Sequence, residues 1–179
     1  AFLSALADMG RLILLDRRGI GLSDRVGSRP SVEATAEDIG RLWVRGGGGT
    51  FNGIWSPNTY ASAGLYVSDT TIPGHVYQIS VEHHVRNEIV LNRVAHWELL
   101  APQTEEEYGE GRDAVSLEIR DSRDILIANY HGYRVTRTLG PVPAAVRLYN
   151  ARDIRFRNVH VNAESGFATC DGDDCTTFL

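Results

Sequence analysis

Two adjacent histidines, one acidic stretch and a pair of cysteines contain the residue types with which this sequence could bind a metal ion. Imidazole is a common metal ligand, and His83 and His84 stand side by side. Successive residues of a strand point to opposite faces, so one ion could hardly take both rings there. We therefore expect one of the two at the surface and the other packed and hydrogen-bonded. The remaining histidines lack ligand spacing, so no metal is predicted; they are His75, His96, His131 and His160.

Carboxylates concentrate at Glu105, Glu106 and Glu107, with Glu110 and Asp113 nearby. Calcium takes several oxygen ligands of this kind. A solvated acidic loop is the alternative, and we expect residues 100–113 to form such a loop inserted between strands. The prediction is no cofactor, with calcium left open at this loop.

The two cysteines, Cys170 and Cys175, enclose four residues. A local disulfide, two free thiols and half of a metal site are all compatible with that spacing, although two thiolates alone make a poor zinc site. A set of aromatic residues could stack on sugar rings or fill a core, and the sequence does not separate these readings: Trp55, Tyr60, Trp97, Tyr130 and Tyr133.

The element that must position these side chains is a repeat of short strands. The segment 124–129, Asp-Ile-Leu-Ile-Ala-Asn, is echoed 29 residues later by 153–158, Asp-Ile-Arg-Phe-Arg-Asn. Apolar residues alternate in both copies, which is the period of a strand. Strands recurring at this interval predict a coil in which each turn buries its apolar row against the next.

Stacking of the two copies makes specific pairs. Ile125 should lie over Ile154, and Ile127 over Phe156, all buried. Asn129 should lie beside the matching amide of the later copy, as a structural amide ladder and not a ligand contact.

Two further echoes extend the repeat. Val115-Ser116-Leu117 is matched by Val146-Arg147-Leu148 at an offset of 31 residues, and a turn would absorb the two extra residues. A weaker echo places Ile89 and Leu91 opposite Ile125 and Ile127, 36 residues further on.

Composition agrees with one ordinary domain rich in turns. The chain has 179 residues, of which 42% are hydrophobic, 23% are charged and 18 are glycine. A net charge of −5 argues against a nucleic-acid partner. No apolar run approaches the ~20 residues that span a bilayer, and the first residues lack a basic segment before an apolar core. We therefore expect no membrane partner, and the compartment stays open.

Before residue 46 the pattern differs. Helical spacing at residues 2–9, an apolar run at 12–15 and helical spacing again at 32–43 predict a helix-strand-helix segment. The glycines of residues 46–49 end it. The strand runs into Asp16-Arg17-Arg18-Gly19-Ile20-Gly21-Leu22-Ser23-Asp24, which resembles a segment of the α/β-hydrolase family. The nucleophile motif of that family, Gly-x-Ser-x-Gly, occurs nowhere in the chain, so no catalytic role is transferred.

Residues 50–179 resemble a right-handed parallel β-helix of the pectate-lyase-like type. The rung is Asp-Ile-x-Φ-x-Asn-Φ-x-Φ, found at 153–161, and the region is also similar to β-helix segments associated with gluconolactonase-type proteins. Within this resemblance, Gly172-Asp173-Asp174-Cys175 is similar to the paired-aspartate element of the polygalacturonases. That likeness implies Asp173 and Asp174 as acid and base across a glycosidic bond, although the companion elements of that family are absent.

The predicted fold is thus mostly β. A parallel β-helix covers residues 46–179, and a hydrolase-like fragment or cap covers residues 1–45. We expect a non-catalytic module that serves as a scaffold or as a carbohydrate-binding surface of a larger protein, with a polysaccharide as partner. A polysaccharide-cleaving enzyme using Asp173 and Asp174 is the first alternative. A remnant α/β-hydrolase is the second.

Overall fold

The computed structural model describes residues 42–57, 61–106, 114–134 and 144–163, and the backbone of two short strands near the C-terminus. Within these residues every regular element is a β-strand. In chain order they are β1 (Leu42–Arg45), β2 (Gly49–Ser56), β3 (Ala63–Thr70), β4 (Gly74–Glu82), β5 (Asn87–Glu106), β6 (Val115–Arg120), β7 (Arg123–Arg134), β8 (Val146–Tyr149), β9 (Arg152–Ala163), β10 (Cys170–Asp171) and β11 (Asp174–Cys175). The mostly-β prediction is confirmed for this part of the chain.

Strands β1 to β9 form two parallel ladders. One ladder stacks β1, β3, the first part of β5, β6 and β8. The other stacks β2, β4, the second part of β5, β7 and β9. Strands of successive coils pair with each other, as Leu42 does with Leu65 and Ile125 with Ile154. Residues 42–163 are therefore a parallel β-solenoid where the structure describes them, as the repeat predicts, and the handedness stays a prediction.

Two positions have a left-handed backbone in all five described coils, and we take them as the bends of the coil. The first column of bends contains Gly46, Asp69, Arg93, Asp121 and Asn150; the second contains Gly53, Gln78, Ala101, Asn129 and Asn158. Their φ angles lie between 46° and 66°, a region that Gly, Asn and Asp adopt most readily. The bends divide each coil into three faces. In β5, face 1 is residues 87–92, face 2 is residues 97–100 and face 3 is residues 102–106.

Side chains that point inward from the three faces make one core. Trp97, Leu99, Ile125 and Ile127 are at most 2% exposed, and they pack between the coils above and below. The indole of Trp97 occupies the space beside Gly74, where a Cβ would lie 2.2 Å from its ring. Glycine is required at that position because the ring and the backbone approach so closely.

The stacking of the two best-matched copies is confirmed. Ile125 pairs with Ile154 and Ile127 pairs with Phe156. The first member of each pair is fully buried, whereas the second is half-buried, because β9 lies in the last coil of the described solenoid. The amide Nδ2 of Asn158 donates a hydrogen bond to Oδ1 of Asn129 at 2.7 Å.

The two further echoes are wrong in register. Leu117, not Val115, pairs with Val146, so β6 and β8 keep the same 29-residue offset as β7 and β9. The partner of Ile89 is Leu117, and the partner of Ile125 one coil earlier is Trp97. A shift by two residues keeps every side chain on the same face, so alternation alone does not fix the pairing.

Two boundaries also differ from the predictions. Residues 100–106 belong to β5 and not to a loop. Leu42 and Trp43 lie in β1 and not in a helix. Residues 1–41 lie outside the described part of the chain, so the helix-strand-helix segment stays a prediction there. No helix among the described residues is long and apolar enough to cross a membrane.

Candidate functional site

The outer surface of face 2 carries an open groove with a volume of ≈150 Å³. We call it the outer groove; its walls are formed by His75, His96, Trp97, Glu98, Asp124, Leu126 and Arg155. Strand register builds it, since residues 75, 98, 126 and 155 follow one another in a single outward column across β4, β5, β7 and β9. The groove therefore combines side chains that are more than 20 residues apart in the sequence.

The lower part of the outer groove contains an imidazole–carboxylate pair. Nδ1 of His75 lies 2.8 Å from Oε1 of Glu98, and the hydroxyl of Tyr77 donates to the same oxygen at 3.3 Å. The rings of His75 and Tyr77 are nearly parallel, with centroids 6.4 Å apart. Desolvation and the carboxylate of Glu98 raise the pKa of Tyr77, so its hydroxyl keeps its proton and acts as a donor.

The upper part contains a second pair. Nδ1 of His96 lies 2.8 Å from Oδ2 of Asp124, and Nη2 of Arg155 donates to Oδ1 of Asp124 at 3.1 Å. The hydrogen bond from His96, followed by the charge of Arg155, holds the pKa of Asp124 below its ordinary value. Asp124 is therefore an ionised acceptor at neutral pH and not a proton donor.

The outer surface of face 3 brings three potential metal ligands together. One ligand atom each from Glu82, His83 and Glu105 lies within 4.8 Å of the other two. We call these residues the Glu-His-Glu cluster. They are half-buried, at the end of β4 and in the facing part of β5.

The prediction for the two adjacent histidines is confirmed for the packed one only. His84 is fully buried, with Nδ1 at 2.6 Å from Oε2 of Glu88 and Nε2 at 3.2 Å from Oγ of Ser56. The side chain of His83, in contrast, is only 16% exposed. A left-handed φ of 63° at His83 breaks the strand alternation on which the argument against a shared ion depended.

A buried ionic network occupies the corner between face 3 and face 1. Arg134 forms an ion pair with Glu106, and Oγ of Ser116 donates to Oε1 of Glu106 at 2.5 Å. Burial raises the pKa of Glu106, while Ser116 and Arg134 oppose that rise. The crevice beside these residues has no room for a water molecule, so this network is structural.

Glu106 therefore cannot belong to a calcium-binding loop. It is 2% exposed and its carboxylate is already paired inside the solenoid. Glu107, Glu110 and Asp113 lie outside the described residues, so calcium at those positions remains untested.

The described residues do not test the predicted aspartate pair. Asp173 lies outside the described residues, and Asp174 lies in β11, where its backbone partner is Asp171. Cys170 and Cys175 are partners in the same antiparallel pair. A catalytic role for Asp173 and Asp174 stays a prediction.

The aromatic residues divide between core and surface. Trp97 and Tyr130 are buried, while Trp55 is 67% exposed and Tyr133 is half-buried. Tyr60 lies outside the described residues. Sequence reasoning missed the outer groove, because Glu98 was not singled out and His75 and His96 were judged only by local spacing. The registers of β4 on β5 and of β5 on β7 are the signals that would have found them.

Comparison with known proteins gives no relative: no protein-family model matches the chain, and no curated protein or solved structure is similar to it. The assignment of the fold as a solenoid therefore depends on the strand pairing. The resemblances to pectate lyases, gluconolactonase-type proteins and α/β-hydrolases gain no support from these comparisons.

Proposed function

We propose that this solenoid is a non-catalytic carbohydrate-binding module whose binding surface is the outer groove. The observation that carries the proposal is the pair of imidazole–carboxylate contacts, His75 with Glu98 and His96 with Asp124, lining one open depression of ≈150 Å³. Arg155 adds a third charged side chain to the groove and donates a hydrogen bond to Asp124.

The chemistry of these groups suits sugar hydroxyls. A hydroxyl both donates and accepts, so it pairs with carboxylate acceptors and with tyrosine or guanidinium donors. His75 and His96 have side chains 42% and 45% exposed, and the carboxylates beside them fix the orientation of both rings. Neighbouring coils are ~4.8 Å apart, so a linear glycan lying across them would meet His75, Glu98 and Arg155 in turn, with the apolar Leu126 before the last of these.

Catalysis in the outer groove is disfavoured by its proton chemistry. Inverting glycoside hydrolysis needs one carboxyl group with a raised pKa, which donates a proton to the leaving oxygen. The pKa of Asp124 is lowered instead. The carboxyl groups of Glu88 and Glu106 do have raised pKa values, but both are buried away from the groove.

Affinity electrophoresis against a panel of soluble polysaccharides tests the proposal. The unaltered chain should be retarded by at least one polysaccharide, and His96→Ala should weaken that retardation about tenfold, the equivalent of one hydrogen bond to a charged group. His160→Ala is the matched control, because His160 is also an exposed histidine but lies on face 3.

Three outcomes would contradict the proposal. If no polysaccharide retards the protein, polysaccharides are excluded as its ligands. Equal losses in His96→Ala and His160→Ala would move binding away from the outer groove. Release of reducing ends during the incubation, abolished by Asp174→Asn, would establish the cleaving alternative.

A further inference from the structure

We propose that the Glu-His-Glu cluster is a binding site for a divalent transition-metal ion. It lies on face 3, separate from the outer groove on face 2, and does not depend on the carbohydrate proposal. The three ligand atoms are within 4.8 Å of one another, and Nε2 of His83 lies 3.5 Å from Oε1 of Glu105. Two ligands of one tetrahedral zinc ion, at bond lengths of ~2.1 Å, are about 3.4 Å apart. The observed separation of the imidazole and one carboxylate already matches this value.

Strand register brings the two carboxylates together. Glu82 and Glu105 are direct partners in the parallel pairing of β4 with β5. Like charges directly opposite one another on neighbouring strands destabilise a sheet. A cation between them converts this repulsion into attraction.

The backbone conformation places His83 beside the two carboxylates. The amide of His83 donates to the carbonyl of Glu105 at 2.9 Å, which ties the residue to the neighbouring coil. Its left-handed φ of 63° ends the alternation that would have turned its ring away from Glu82. The ring is consequently a neighbour of both carboxylates.

Neighbouring side chains orient the ligands. Glu82 accepts hydrogen bonds from Oγ of Ser80 at 2.6 Å and from Nε1 of Trp55 at 3.1 Å. Nε2 of Gln103 donates to Oε2 of Glu105 at 3.3 Å, which leaves Oε1 of that carboxylate facing His83. Outer contacts of this kind hold metal ligands in place and strengthen binding.

The ligand set selects the metal class. Calcium and magnesium prefer oxygen ligands alone, whereas one imidazole with two carboxylates suits zinc and its first-row neighbours. Three protein ligands leave at least one coordination position for water, as in zinc sites that act on substrates. The site is half-buried and not enclosed, so ions enter from solvent.

Isothermal titration of the chelator-treated full chain with zinc tests this assignment, with calcium and magnesium as comparison ions. One zinc ion should bind tightly, and His83→Gln should weaken binding at least about 100-fold, since even outer contacts contribute 10- to 100-fold. Glu105→Gln should weaken binding too, which keeps the test decisive if the first variant does not fold. Circular dichroism establishes folding of each variant.

Two control variants separate this site from other zinc ligands. His96→Gln removes an exposed histidine that also contacts a carboxylate, and it should leave zinc affinity unchanged. Replacement of Cys170 and Cys175 by serine should leave it unchanged as well. The assignment is overturned if zinc does not bind, if calcium binds as tightly as zinc, or if His83→Gln and Glu105→Gln retain the affinity that the cysteine variant loses.

Discussion

Glu88 should make the stability of the solenoid depend on pH in a sense opposite to that of most carboxylates. The side chain is 1% exposed, and burial raises its pKa to about 9 from an ordinary value of 4.5. Between those values the folded chain holds a proton that the unfolded chain releases. Its contribution to stability is therefore complete below pH 4.5 and is lost progressively as pH rises towards 9.

The magnitude follows from the linkage relation. One proton held only by the folded state changes the free energy of unfolding by ~1.4 kcal/mol per pH unit. Stability should thus fall by up to about 4 kcal/mol from pH 5 to pH 8. The backbone amide of His84 donates to Oε1 of Glu88 and favours the ionised form, but burial outweighs this hydrogen bond.

Glu88→Gln isolates this effect. The amide keeps the shape of the protonated acid: its oxygen accepts from the backbone of His84, and its NH2 group donates to Nδ1 of that ring. Urea unfolding followed by circular dichroism at pH 5, 6, 7 and 8 should show near-equal stability at pH 5 and a more stable variant at pH 8. Asp124→Asn should leave the pH dependence between pH 5 and pH 8 unchanged, because the lowered pKa of Asp124 gives stability that disappears only as pH falls below the ordinary value of 3.8. Parallel curves for wild type and Glu88→Gln would show that Glu88 and His84 form an ion pair instead.

Two substitutions test the packing of the coils. Gly74→Ala places a Cβ 2.2 Å from the ring of Trp97 and should lower the free energy of unfolding by ~1–3 kcal/mol. Gly47→Ala is the control and should change it little, because a Cβ there has nothing within 4 Å. Equal shifts of the melting temperature in the two variants would refute the close approach. Ile125→Ala should lower the free energy of unfolding measured in urea by ~2–5 kcal/mol, because the side chain is fully buried. Ile154→Ala should lower it clearly less, because that side chain is half-buried. The reverse order would contradict the described core.

The sequence predicts the solenoid where two coils have equal length and matching bends. β7 and β9 both begin with Arg-Asp-Ile and both place Asn at the second bend, so their repeat is visible by inspection. Earlier coils place Gln78 and Ala101 at the same bend. Those residue types carry no signal for a left-handed backbone, and the neighbouring coils impose it instead.

The candidate sites were predictable only in part. His75 and Glu98 meet because β4 lies on β5, and no local motif encodes a contact between residues 23 positions apart. The Glu-His-Glu cluster depends on one left-handed residue, which reverses the expected direction of a single side chain. The burial of Glu106 could not be predicted from the sequence either, because a run of three glutamates normally indicates a solvent-exposed segment.

The spacing of the strands determines where this architecture tolerates change. Only two or three residues separate face 1 from face 2 in the second, fourth and fifth coils, at 71–73, 121–122 and 150–151. From face 3 to the next face 1 the connection has six residues at 57–62, four at 83–86, eight at 107–114 and eleven at 135–145, while the ladders stay in register. At the corner between face 1 and face 2 the length differs by one residue among these coils, whereas at the corner between face 3 and face 1 it differs by seven. That corner is the natural position for grafting a foreign peptide, since an insert there would be displayed at a known height along the stack without altering the strands that hold it.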